Sequence, residues 1–170
     1  YIFQGSKGSL CKQIGNAVPP LLAFSIANQI RKKTKTKNLL DLFCGAGGLS
    51  LGFGWAGYKI VVANDNFKQA CETYRANHKD TILIEGDITD KKIQGKILEK
   101  SKIGNVDIIV GGPPCQCFSH AGKRMIDDPR NLLYKEFVTI VKKLKPKVFL
   151  LENVVGIMTI NSGKAYEEVK

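Results

Sequence analysis

Asn38-Leu39-Leu40-Asp41-Leu42-Phe43-Cys44-Gly45-Ala46-Gly47-Gly48 passes from an apolar run straight into a glycine-rich turn. The first six residues read as a strand, and the pattern from Gly48 to Ala56 reads as a helix. Working outward from this strand–turn–helix unit, short apolar runs and helical patterns keep alternating. Strands are expected over 59–63, 81–84, 106–110 and 148–151, with helices over 67–77, 91–100 and 132–144 between them. Such alternation predicts βαβ units, an α/β doubly wound and mostly parallel sheet, and helices on both faces. Right-handed crossovers then gather all the strand-to-helix loops on one edge. Residues 1–37 stand outside the alternation. The stretch 1–13 reads as a loop, and Val18-Pro19-Pro20 introduces a helix to about Lys32, with proline at its start and basic residues at its end. The expected division is therefore an N-terminal segment, 1–37, and a cofactor-binding and catalytic portion, 38–170.

The fourth strand carries the most specific chemistry. Val106-Asp107-Ile108-Ile109-Val110 is followed by Gly111-Gly112-Pro113-Pro114-Cys115-Gln116. Glycines let backbone approach a ligand and prolines fix φ, so a thiol is held at the carboxyl end of a strand, where open α/β sheets place their sites. A cysteine serving only to fill a core needs no such housing. This reads Cys115 as a nucleophile. The fifth strand ends in Phe149-Leu150-Leu151-Glu152-Asn153-Val154, which brings a carboxylate out at the same edge, one strand away. Glu152 suits an acid that holds or protonates a substrate while the thiol attacks. The intervening stretch 116–128 is polar and long enough to close over a substrate, and His120, Lys123 and Arg124 within it could meet phosphates.

The earlier loops suit an adenosine-containing cofactor. Gly45, Ala46, Gly47 and Gly48 leave bare backbone near a helix amino end. Asp65, about 20 residues further on, suits ribose hydroxyls. Gly86-Asp87-Ile88 offers a carboxylate for an exocyclic amine and an apolar neighbour for a ring. The glycine spacing departs from Gly-x-Gly-x-x-Gly, which disfavours NAD, and hydride transfer would leave Cys115 unexplained.

A chain of 170 residues with 44% hydrophobic content suffices for one well-buried domain. Its formal net charge is +11, favouring a polyanionic partner, nucleic acid before membrane surface. Part of that charge lies in Arg31-Lys32-Lys33-Thr34-Lys35-Thr36-Lys37, which reads equally as a solvated linker or a phosphate-contacting arm. No run of about 18 apolar residues occurs, so no membrane span is expected, nor is a signal peptide. Five cysteines without CxxC spacing argue against disulfides and zinc; reduced thiols in a bacterial cytoplasm are the expectation, with no metal.

These motifs, in order, resemble those of the DNA (cytosine-5) methyltransferases. Phe43-Cys44-Gly45-Ala46-Gly47-Gly48, Asp65 and Gly86-Asp87-Ile88 look like that family's three cofactor motifs. Gly111 to Ser119 looks like its catalytic motif, and Glu152-Asn153-Val154 like its glutamate motif. Lys12-Gln13-Ile14-Gly15-Asn16-Ala17-Val18-Pro19-Pro20 resembles its final motif. The resemblance implies S-adenosylmethionine as cofactor, double-stranded DNA as partner, and methyl transfer to carbon 5 of a flipped-out cytosine through a covalent Cys115 adduct, in the setting of a restriction-modification system. It implies that Phe43 stacks on adenine, Asp65 binds the ribose, and Asp87 with Ile88 holds the adenine edge. Pro114, Leu133, Asn16 and Val18 would complete the cofactor pocket, while Gln116 and Ser119 would face the DNA. Two departures stand out: the family's last motif here precedes its first, and the later catalytic motifs and target-recognition region are missing. A circular permutant, one subunit of a split enzyme needing a second chain, and a fragment across two fused enzymes all remain open.

Overall fold

The computed structural model describes residues 1–114, 133–154 and 167. Within them the chain forms α1 (Lys7–Gly15), α2 (Pro20–Lys33), β1 (Asn38–Leu42), α3 (Gly48–Trp55), β2 (Lys59–Asp65), α4 (Lys68–Asn77) and β3 (Ile82–Glu85). There follow α5 (Lys91–Ile103), β4 (Ile108–Gly111), α6 (Leu133–Leu144) and β5 (Val148–Leu151). The strands pair in the order β3-β2-β1-β4-β5, all in parallel, as the alternating pattern predicts. Strand order reverses between β1 and β4. The loops that follow these two strands therefore flank the crevice in which open parallel sheets bind their ligands.

Burial on both faces explains why the strands read as continuous apolar runs. Leu39, Ile108 and Val110 turn to one face, where they meet Ala23 and Ala27 of α2 and Leu49 and Phe53 of α3. Leu40, Leu42, Val62 and Ile109 turn to the other, against Ile97 of α5 and Phe137 and Ile140 of α6. The junction of α2 and α3 is close because glycine makes it so: a Cβ at Gly52 would stand 2.5 Å from the Ala23 Cβ and 2.7 Å from the Phe24 nitrogen.

One expected loop is a helix. Residues 7–15 form α1, capped by Ser6, whose Oγ accepts from the Ser9 N–H at 3.4 Å. Two glycines and a serine in nine residues give this stretch little helical signal of its own; tertiary contacts hold it. Gln13 is 3% exposed and donates to the Gln4 carbonyl at 2.9 Å, and the Gln4 N–H donates to Thr73 Oγ1 of α4 at 2.9 Å. The basic stretch after α2 is pinned as well. Thr34 Oγ1 donates to the Ile30 carbonyl at 3.1 Å, and Thr36, 5% exposed, meets the Tyr58 hydroxyl at 3.3 Å. No helix among the described residues is long and apolar enough to cross a membrane.

Candidate active site

The turn after β1 is built from left-handed backbone: φ is +58° at Phe43, +53° at Gly45 and +98° at Gly47. Phe43 is the costly one, since a side chain disfavours this region. Two glycines nearby remove the same cost, and the turn then exposes its amides. Asp65, at the end of β2, fastens the turn from outside. Its Oδ2 accepts from the Gly45 N–H and its Oδ1 from the Phe67 N–H, each at 2.8 Å. Burial pushes the Asp65 carboxyl above its ordinary range, while these amides and the Lys12 ammonium pull it back. The Lys12 Nζ sits 4.3 Å from the Phe67 ring centre. Asp65 thus anchors the loop that would carry a cofactor, and lone pairs on both oxygens remain for a ribose.

Behind the turn runs a polar chain that the motifs did not foretell. Asp41 is fully buried in β1; Ser50 Oγ of α3 donates to its Oδ2 at 2.6 Å, and the Tyr74 hydroxyl lies 2.7 Å from the same Oγ. Burial raises the Asp41 carboxyl to about 7, the Ser50 hydrogen bonds opposing. Its other oxygen, Oδ1, has no hydrogen-bond partner among the described residues. Tyr74 stacks on His78 with ring centres 4.3 Å apart. His78 Nε2 is 3.0 Å from the Tyr1 hydroxyl, which donates to the Ala46 carbonyl of the turn. Burial lowers the His78 pKa and favours the neutral ring, whose Nε2–H then donates to Tyr1. A charged residue inside an apolar strand was the one sequence signal for this network; nothing marked Tyr1, Tyr74 or His78.

The remaining predicted residues fall around the same edge. A Cβ at Gly45 would meet nothing within 4 Å among the described residues, so the middle of the turn is open. Val18 brings its carbonyl against Gly48, so the residues after α1 lie beside the turn; Asn16 caps α1 and is exposed. Phe43 and Leu133 are partly buried and pack against the same cluster that buries Ile88 to 3% exposure. The Ile88 side chain therefore faces the core. Asp87 is exposed, its Oδ1 accepting from the Thr89 N–H at 2.9 Å. Pro114 is exposed beyond β4. A Cβ at Gly112 would stand 2.8 Å from Glu152 Oε2, so the glutamate carboxyl lies over the glycine pair that leads to Cys115. The Glu152 N–H donates to the Gly111 carbonyl at 2.9 Å, and partial burial raises its carboxyl pKa. Cys115, Gln116 and Ser119 lie outside the described residues, as do His120, Lys123 and Arg124. No cluster of three potential metal ligands occurs among the described residues.

An all-parallel sheet with a glycine turn, an anchoring carboxylate and an open switch-point crevice defines a Rossmann-like methyltransferase fold. The family of C-5 cytosine-specific DNA methylases matches residues 37–170, and the chain belongs to it. Among curated relatives, Type II methyltransferase M.AquIA of Picosynechococcus sp. is 47% identical over 136 residues, spanning 78% of this chain and 54% of the relative. Type II methyltransferase M1.HphI of Haemophilus parahaemolyticus is 45% identical over 133 residues, spanning 76% and 36% respectively. The chain thus spans about half of the first relative and little more than a third of the second. Among solved structures, a protein assigned as a DNA modification methyltransferase encoded within an E. coli prophage superposes with a TM-score of 0.65 at 35% identity. It covers 78% of this chain, which spans 36% of it. The Pyrococcus abyssi tRNA (uracil-54, C5)-methyltransferase bound to S-adenosyl-L-homocysteine shares the fold at TM-score 0.52 and 16% identity, with 91% of this chain and 33% of that one covered.

Proposed function

We propose that the protein methylates carbon 5 of cytosine in double-stranded DNA, as the catalytic part of a bacterial restriction-modification methyltransferase. The observation that carries this reading is the convergence at the switch point. The glycine turn after β1 and the Gly-Gly-Pro-Pro loop after β4 flank one crevice, and the Glu152 carboxyl closes onto Gly112. S-adenosylmethionine, whose adenosine the Gly45–Gly48 turn, Asp65 and Asp87 suit, supplies an electrophilic methyl group when bound and leaves as the demethylated thioether. Phe43 would face the adenine, with Leu133, Pro114, Asn16 and Val18 around the rest of the pocket.

The chain's own residues supply the nucleophilic half of the chemistry. A cytosine flipped out of the duplex would enter beside Cys115. The Cys115 thiolate adds to carbon 6, forming a C–S bond and pushing the ring electrons to carbon 5. Glu152 holds the ring nitrogen and the exocyclic amine; its raised pKa suits a proton donor. After carbon 5 gains the methyl group, its proton leaves to a base and the returning electron pair expels the thiolate. Gln116 and Ser119 would contact the DNA strand. Duplex DNA containing 5-fluorocytosine tests this directly, because fluorine cannot leave as the proton does. With S-adenosylmethionine present, the full-length protein should form a stable covalent adduct that Cys115→Ser abolishes; an adduct formed equally by Cys115→Ser would refute it.

The fraction of the relatives covered supports a second reading, in which this chain works only with polypeptide that supplies target recognition. Methyl transfer that appears only on adding that second chain would select it.

A further inference from the structure

In a parallel sheet the helices return to the amino-terminal edge, so their last turns cluster there. Among the described residues that edge is the more basic of the two. The backbone fixes a row across it: Lys59 N–H donates to the Lys37 carbonyl, Lys37 N–H to Asp107 Oδ1, and Lys147 N–H to the Asp107 carbonyl, each at 2.9 Å. At about 4.8 Å per strand, this row spans roughly 14 Å. Lys37, Lys59 and Lys147 are all exposed. Around the row stand Arg31, Lys32 and Lys33 at the end of α2, Lys100 and Lys102 at the end of α5, and Lys142 and Lys143 at the end of α6. Among the described residues three carboxylates stand at this edge: Asp80 in the turn before β3, Asp107 and Glu99. Asp107 is occupied by the backbone and by Lys147 at 3.7 Å, and Glu99 meets Lys100 at 3.0 Å. Asp65, Glu85, Asp87 and Glu152 all lie at the opposite edge, at or just beyond strand carboxyl ends.

Cations at helix carboxyl ends complement the helix dipoles, and that accounts for those within the last turns. It does not account for Lys35, Lys37, Lys59, Lys145 and Lys147, which lie in no helix. The stretch after α2 shows the arrangement most clearly. Thr34 and Thr36 turn inward to their hydrogen bonds, while Lys35 and Lys37 alternate outward and exposed. It is a fixed rail of ammonium groups rather than a loose linker. Arg31, the arginine of the group, spends its guanidinium on the Ala56 carbonyl. The outward groups are thus lysines: point charges suited to phosphate, without the planar fork that reads bases.

We propose that the amino-terminal edge of the sheet is a second contact surface for duplex nucleic acid. It lies about 20 Å, the length of β2, from the reacting edge. It would hold the phosphate backbone without regard to sequence. The choice of duplex DNA as the polyanion rests on the function proposed above; the surface itself rests on the placement of the lysines.

The test uses the full-length protein and a fluorescent duplex of arbitrary sequence, with the dissociation constant measured by anisotropy across a salt series. Lys35→Gln/Lys37→Gln and Lys142→Gln/Lys143→Gln should each weaken binding at least about fivefold near 0.1 M salt. Each should also reduce the slope of log K against log salt by about 2, since each phosphate contact contributes about 0.9. Lys92→Gln/Lys96→Gln, exposed on α5 away from the row, should change binding less than about twofold. Unchanged slopes in both edge variants would overturn the proposal, as would an equal loss in the α5 variant. So would edge variants that lose binding to polyglutamate but keep duplex binding, which would make the partner an acidic protein. Methyl transfer is read separately, on DNA that contains the target site and with any partner chain supplied: its absence there, with the edge effects intact, would sink the methylation reading and leave this one standing.

Discussion

Replacing Gly52 with alanine adds one methyl group at the narrowest point between α2 and α3. The new carbon would stand 2.5 Å from the Ala23 Cβ, against the 3.5–4.0 Å at which carbon pairs normally rest, and 2.7 Å from a backbone nitrogen. Ala23 is fully buried and already small, so no side-chain rotation relieves the contact; one helix must shift by about 1 Å. Overpacking of this kind costs about 1–3 kcal/mol, while alanine's better helix propensity returns about 1 kcal/mol. A net loss of up to about 2 kcal/mol is expected in chemical denaturation at equilibrium. Gly95→Ala is the matched control, because its Cβ would meet nothing within 4 Å at an exposed position inside α5. It should stabilise by up to about 1 kcal/mol. The two substitutions should differ in sign. If Gly52→Ala is as stabilising as Gly95→Ala, α2 does not lie against α3 as described.

Asp41 gives a pH prediction. Burial raises its folded pKa from the ordinary 3.8 to about 7, so the folded state prefers the protonated form. That preference contributes stability fully below 3.8 and loses it as pH climbs toward 7, at up to about 1.4 kcal/mol per pH unit. Asp41→Asn, which mimics the protonated acid, should flatten this part of the stability curve and be no less stable than the parent at pH 8. A difference curve between parent and variant that stays level across the window would refute the assignment. At the reacting edge, Glu152→Gln should lower kcat by at least about 100-fold while leaving S-adenosylmethionine affinity within about twofold. Loss of cofactor affinity in place of turnover would move Glu152 out of the cytosine's reach.

Most of the sheet was legible because its strands are buried on both faces and punctuated by glycine and proline. β5 matches its expected span, and β1 and β2 differ from theirs only at the carboxyl ends. α1 escaped notice because Gln13 ties it to the Gln4 carbonyl and Gln4 in turn is tied to Thr73 of α4, contacts that periodicity cannot register. In the site, loop chemistry announced Asp65 and Glu152, since carboxylates at strand ends stand out against apolar runs. What Asp65 does was not visible: its oxygens are already engaged by the Gly45 and Phe67 amides, a fact of three dimensions. The chain from Asp41 to Tyr1 was hidden for the same reason, its links joining residues up to 77 positions apart.

The order of the elements has a kinetic consequence. α2 docks on α3, and only four residues, 34–37, separate α2 from β1. Contact order here is low, so α2, β1 and α3 can condense as one local hairpin-like unit, with little loop-closure entropy to overcome. Where the matching segment comes last in a chain, that docking must wait for a long-range encounter. Here it can be among the first tertiary contacts to form.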